Sequence, residues 1–162
     1  RSVLNSSVDM HVSLAQEIEI LKYYIELELL RFDEQFEYVI DVDKSIDKDF
    51  TEVPSMLLQP YIENAIIHGL LNKKGKGKLS IQIKQEASWL ICTIEDNGVG
   101  REFALAYRKK SKLHKSLAMS VTEERLLIIN QNDSVSVEII DLFDENQTAA
   151  GTRVILKLQL TD

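Results

Sequence analysis

Val53–Gly69 reads VPSMLLQPYIENAIIHG, and the reading of this stretch decides the fold. Leu58, Tyr61, Ile62, Ala65 and Ile66 recur at helical spacing, which predicts a helix over Pro54–Leu71 with one apolar face. Pro60 interrupts the run, so the regular helix either starts there or kinks there. Asn64 and His68 are four apart and share one side of that helix, at the edge of the apolar stripe. A side chain in that position is half-buried and still reaches a ligand. An Asn amide oxygen is a hard, neutral ligand suited to Mg²⁺, which prefers oxygen and keeps several waters. The same pair also admits a plain structural role, with Asn64 bonded to a neighbouring strand and His68 a cation near a helix C-terminus.

Upstream, Leu14, Ile18, Leu21, Ile25, Leu29 and Phe32 recur at steps of four and three, which predicts an amphipathic helix from Ser13 to Phe32. Ser13 with Gln16 three residues later is a capping-box pattern. The stripe is near-heptad, so the helix suits either a partner helix or its own domain. Residues 1–12 are polar and mixed, and Arg1–Ser7 suits the tail of an earlier helix. Gln35–Val42 alternates as a strand, with Phe36, Tyr38, Ile40 and Val42 on one face, and Lys44–Phe50 is a polar connection.

Downstream, KKGKGK at Lys73–Lys78 is a basic turn before two strands, Leu79–Gln85 and Leu90–Glu95, that form an antiparallel hairpin. DNGVG at Asp96–Gly100 follows as a tight turn. Asp96 at the strand end can accept from an exocyclic amine, or simply close an Asp-Asn-Gly turn. Met119–Asn130 is a helix by its apolar spacing. Val135–Ile140 and Thr152–Leu160 are final strands flanking a polar loop, Asp141–Gly151. The order of strand, helix, two strands, loop, helix, two strands predicts an α+β two-layer sandwich, with helices on one face of a mixed, largely antiparallel sheet.

The 162 residues are 44% hydrophobic and 28% charged, the balance of an ordinary globular domain. Net charge is 19 − 26 = −7, which argues against a general nucleic-acid partner. Yet Arg101–Ala118 carries six bases and one acid, a local +5 suited to an anion. Cys92 is the single cysteine and sits in an alternating apolar run, so it reads as a buried, inert thiol. No apolar run approaches the roughly 20 residues that span a bilayer.

ENxxxHG, DNGxG, a basic loop and GTxVxLxL (Gly151–Leu158), in this order, resemble the GHKL or Bergerat ATP-binding domain shared by gyrase, histidine kinases and MutL. Within it, Val53–Gly69 and EIEILKYYIELELLRF at Glu17–Phe32 look like the LytS-like sensor histidine kinases. The resemblance implies that Asn64 holds the Mg²⁺ bridging the phosphates of ATP, that Asp96 reads the adenine amine, and that Gly98 and Gly100 give the nucleotide room. It places His68 near the phosphates or ribose. Arg101, Lys112, Lys115, Ser116, Ala118, Gly151 and Thr152 join the nucleotide-binding set, the lysines and arginine as parts of a loop that covers ATP. Glu63 is a candidate to polarise a metal-bound water. On an ideal helix it stands about 100° from Asn64, which suits a supporting role better than a direct one.

Two departures stand out. Where family members carry a GxGL pair before an N-x-x-x-R-L helix, this chain has Ser116-Leu117-Ala118-Met119 and then Val121 ahead of Arg125-Leu126. Small side chains keep part of the close approach but lose glycine's flexibility. The phosphate-accepting motif N-P-H-F-L-F-N is also missing, and the three histidines, His11, His68 and His114, lie in other contexts. The expectation is therefore a fragment. Residues 1–33 lead from a missing dimerisation and phosphoacceptor region, and 34–162 form the ATP-binding catalytic domain. The whole protein would be a homodimer through upstream helices, membrane-anchored with this domain in the cytoplasm, passing phosphate to a response regulator. The competing readings are a degenerate regulatory module of the same fold and another GHKL ATPase.

Overall fold

The computed structural model describes residues 11–103 and 134–160. Its elements are β1 (His11–Ser13), α1 (Leu14–Arg31), β2 (Phe36–Val42), β3 (Glu52–Pro54), α2 (Gln59–Asn64) running into a π-helical segment (Ala65–Leu70), β4 (Gly77–Glu86), β5 (Trp89–Asp96), β6 (Val135–Phe143) and β7 (Ala149–Gln159). The main sheet has the order β2-β4-β5-β7-β6, parallel only between β2 and β4. The expected mixed, largely antiparallel α+β sandwich is the observed one.

α1 begins where its cap dictates. The Ser13 hydroxyl accepts from Gln16 N at 3.2 Å, and the Gln16 side chain accepts from Ser13 N at 3.0 Å. Leu14, Ile18, Leu21 and Ile25 are buried in one core with the helix-facing residues of the sheet, among them Phe36, Leu79, Ile81, Ile94 and Leu156. Burying each such side chain contributes about 1.5–3 kcal/mol. The near-heptad stripe is thus spent on its own domain. A second row on the same helix, Ile20, Tyr23, Leu27 and Leu30, is exposed.

Three local expectations change. Residues 11–13, given no strand from sequence, are a strand that pairs antiparallel with Glu52–Pro54, while residues 1–7, expected as a helix tail, lie outside the described residues. The helix expected from Pro54 starts at Gln59, with Pro60 in its first turn, where a missing N–H costs nothing. Pro54 is in β3 and Met56 has φ +61°, so residues 55–58 form a turn. The last strands are longer than expected and meet in a short turn at 144–148, where the Asp144 carboxylate accepts from Asn146 N and Thr148 N. The helix expected at 119–130 lies outside the described residues.

Cys92 is buried on β5. Burial, reinforced by the charge of Glu17, pushes its thiol up to about 12. A thiolate-seeking reagent at pH 8 is therefore expected to leave Cys92 unmodified in the folded protein and to label it fully in denaturant; fast labelling of the native chain would contradict this packing.

Candidate functional site

Asn64 closes α2, and the chain then loosens into the π-helical segment that carries His68 and Gly69. Leu71 N donates to Ile66 O at 3.0 Å, closing the wider turn. Such π segments often mark functional sites. Glu63, Asn64 and His68 are half-buried, while Gly69 is buried.

Gly69 is buried because the DNGVG turn sits directly on it. Val99 N donates to Gly69 O at 3.2 Å. A Cβ on Gly98 would stand 2.6 Å from both the Cα and the carbonyl oxygen of Gly69. A Cβ on Gly69 would stand 2.8 Å from Asp96 Oδ1. Two glycines therefore let the end of the ENAIIHG segment and the end of β5 meet backbone to backbone. The turn is fastened on other sides too. Lys78 N donates to Asn97 Oδ1 at 2.7 Å, and Asn97 N donates to Lys78 O at 3.2 Å.

Asp96, at the end of β5, is only 4% exposed. Its Oδ1 accepts from Gly98 N at 2.8 Å. Burial raises its pKa from 3.8 to about 6; the Gly98 N–H opposes the shift, the nearby Glu95 charge adds to it, and a Thr152 N–H opposes it again. An ionised, desolvated carboxylate here is a strong acceptor for an amine.

The remaining expected site residues divide. Thr152 is the β7 partner of Asp96. Gly151 has φ +130°, and a Cβ there would run into the Asp96 carbonyl. Gly100 has φ +78°, and its Cβ would stand 2.9 Å from Ala149 Cβ. The close approaches that these glycines permit are thus between β7 and the end of β5 or the turn that follows it. Arg101 is engaged by Asp141 in a two-pronged ion pair at 2.6 and 2.7 Å. Glu63 accepts from Gln59 Nε2 at 2.8 Å. Together with Glu28 it lies near Tyr24 of α1, where burial first and then these two charges raise the phenol's pKa. Lys112, Lys115, Ser116 and Ala118, the loop residues expected to cover a nucleotide, lie outside the described residues.

One residue escaped the sequence reading. Glu17 is 1% exposed inside the apolar stripe of α1, and its carboxylate accepts from Met56 N at 2.9 Å and from Leu58 N at 3.2 Å. A charge at a stripe position, one turn from both Leu14 and Leu21, was the available signal. Among the described residues no group of three or more His, Cys, Asp or Glu side chains is placed to hold a metal. A cation here would rest on Asn64, phosphate oxygens and water, a donor set that suits Mg²⁺. No helix among the described residues is long and apolar enough to cross a membrane.

No family model matches the chain. The sensor protein LytS of Oceanobacillus iheyensis is 32% identical over 141 residues, 83% of this chain and 24% of LytS. The sensor histidine kinase YpdA of Escherichia coli is 32% identical over 92 residues, 57% of this chain and 16% of YpdA. The chain thus spans a quarter or less of either relative. The catalytic domain of histidine kinase ThkA in a nucleotide-free form superposes with a TM-score of 0.57 at 14% identity, covering 93% of this chain and 95% of that one. ThkA in complex with the response regulator protein TrrA superposes with the same TM-score of 0.57 and identity of 14%, covering 94% of this chain and 42% of ThkA. By sequence and by fold the chain is a histidine-kinase ATPase domain of the LytS-like family.

Proposed function

We propose that this domain binds Mg²⁺-ATP between the Asn64 helix and the Asp96 turn, and serves a two-component sensor kinase in phosphorylating a histidine outside residues 1–162. The observation that carries the reading is the seating of DNGVG on Gly69. It ties a buried carboxylate acceptor to the end of the segment that presents a half-buried amide. Bound ATP supplies the phosphoryl group, with Mg²⁺ offsetting its charge. The chain's own groups position it: Asp96 accepts the adenine amine, Asn64 offers its oxygen to the metal, and Glu63, oriented by Gln59, supports from the α1 side. Residues 1–33 lead from a dimerisation and phosphoacceptor region, and 34–162 form the nucleotide-binding part. A response regulator receives the phosphate; the partner class is that of TrrA, the response regulator found in complex with ThkA.

Calorimetric titration of the chain with Mg²⁺-ATP tests this. Binding is expected for the native sequence, and Asn64→Ala is expected to lose the Mg²⁺-dependent part of the affinity while adenosine still binds. Equal Mg²⁺-ATP affinity in the two proteins would remove Asn64 from the site. No heat from the native chain at millimolar nucleotide would favour a degenerate, regulatory domain.

A further inference from the structure

Glu17 reaches across 39 and 41 residues of sequence to take Met56 N and Leu58 N, one on each carboxylate oxygen. The grip answers a need. Leu57 and Leu58 are each 1% exposed and Met56 is half-buried, so the Leu58 N–H lies away from water and the Met56 N–H partly so, and a buried N–H without an acceptor is costly. Met56 adopts φ +61°, a conformation a methionine rarely visits, and the turn it makes aims both N–H groups at α1. α2 begins at once beyond that turn and carries Asn64 as its last residue. The helix is short and continuous, so its starting point and direction fix where Asn64 stands.

Asp96 is held by other means. β5 is paired on both sides, by β4 and by β7, and Gly98 N caps the carboxylate. Apart from the contact of the DNGVG turn with Gly69 at the far end of the segment, the two halves of the site thus have separate supports, one running through α1 and one through the sheet.

We propose that Glu17 is a positioning residue through which α1 sets Asn64 relative to Asp96, so that a shift of α1 changes metal-nucleotide capture without disturbing the adenine contact. This rests on the nucleotide-binding reading above.

The test compares the native chain with Glu17→Gln and Glu17→Asp. Glutamine keeps one acceptor and turns an NH₂ toward the second backbone N–H. Aspartate keeps both acceptors but shortens the reach by one methylene. For each protein, affinities are measured for ATP with Mg²⁺, ATP with a chelator, and adenosine, alongside amide spectra of the backbone. Glu17→Gln is expected to cut the Mg²⁺-dependent gain in ATP affinity about tenfold, the effect of one lost hydrogen bond to a charged group. Adenosine affinity should stay level, and Glu17→Asp should fall between the two. Should Glu17→Gln fail to fold, Glu17→Asp carries the same comparison.

A purely structural role would weaken adenosine and Mg²⁺-ATP together, and that result overturns the proposal. So does an unchanged Mg²⁺ gain in a variant whose Met56 and Leu58 amides have shifted. If the native chain gains nothing from Mg²⁺, the nucleotide reading is what fails, and the amide spectra decide. Shifts at Asn64 and Ala65 with Gly98 unmoved support the positioning role, and unmoved Asn64 and Ala65 overturn it.

Discussion

Gly151→Ala is expected to lower stability by about 3 kcal/mol or more, enough to leave much of a marginal domain unfolded. Two effects add. The residue has φ +130°, a region that side chains avoid, and the new Cβ would meet the Asp96 carbonyl, with Asn97 Cα at 2.9 Å. The obstacle is backbone at the end of β5, where Asp96 pairs with Thr152, so nothing flexible can step aside. Gly75→Ala separates the two effects. Gly75 also has a positive φ, +85°, but nothing lies within 4 Å of its added Cβ, so its cost should be the strain alone, roughly 1–2 kcal/mol. Urea unfolding of both variants checks the pair. Equal losses would mean that the Gly151–Asp96 approach is far looser than described.

Asp96→Asn should move stability and binding in opposite directions. The carboxyl of Asp96 has its pKa raised from 3.8 to about 6, first by burial. Between these values the folded chain holds a proton that the unfolded chain has released. Stability contributed by this group is therefore present at low pH and is lost as pH rises through about 6. At pH 7 the ionised group costs roughly 1–3 kcal/mol of folding stability. An asparagine can keep the bond from Gly98 N without that penalty. Asp96→Asn is thus expected to be more stable than the native chain at pH 7 and to lose the slope between pH 4 and 6 in a denaturation series. Adenosine binding should run the other way. In the native chain it should weaken as pH falls through about 6, because the protonated carboxyl is a poorer acceptor. In Asp96→Asn it should be weaker by roughly tenfold to a hundredfold, the worth of a charge-assisted bond. A variant that binds adenosine as tightly as the native chain would place the purine elsewhere.

The parts of the fold that were legible in sequence are those set by local chemistry. The Ser13–Gln16 cap fixes the start of α1, and alternation in Leu79–Gln85 and Leu90–Glu95 gives the hairpin. The β1–β3 pair was not legible, because three-residue strands have no periodicity to read. The late start of α2 and the π-helical segment beyond it come from tertiary demands. The Glu17 carboxylate shapes the turn before α2, and the DNGVG turn presses on the segment's end. At the proposed site, motif spacing singled out Asn64, Asp96 and the glycines, and the resemblance implied that Gly98 and Gly100 give a nucleotide room. What the spacing could not show is that a Cβ at Gly98 or Gly151 would meet the chain's own backbone. Arg101 likewise read as an anion contact, and only the fold reveals Asp141, forty positions on, as its partner.

The parallel pairing of β2 with β4 bears on how the molecule is put together. Asp96 belongs to a hairpin whose strands are joined by a two-residue turn, a unit able to form early from neighbouring sequence. Asn64 rides on the long connection that must cross over before β2 can lie alongside β4. The amide and the carboxylate therefore rest on contacts of different sequence range, and only a chain that has made the long-range closure has both in place.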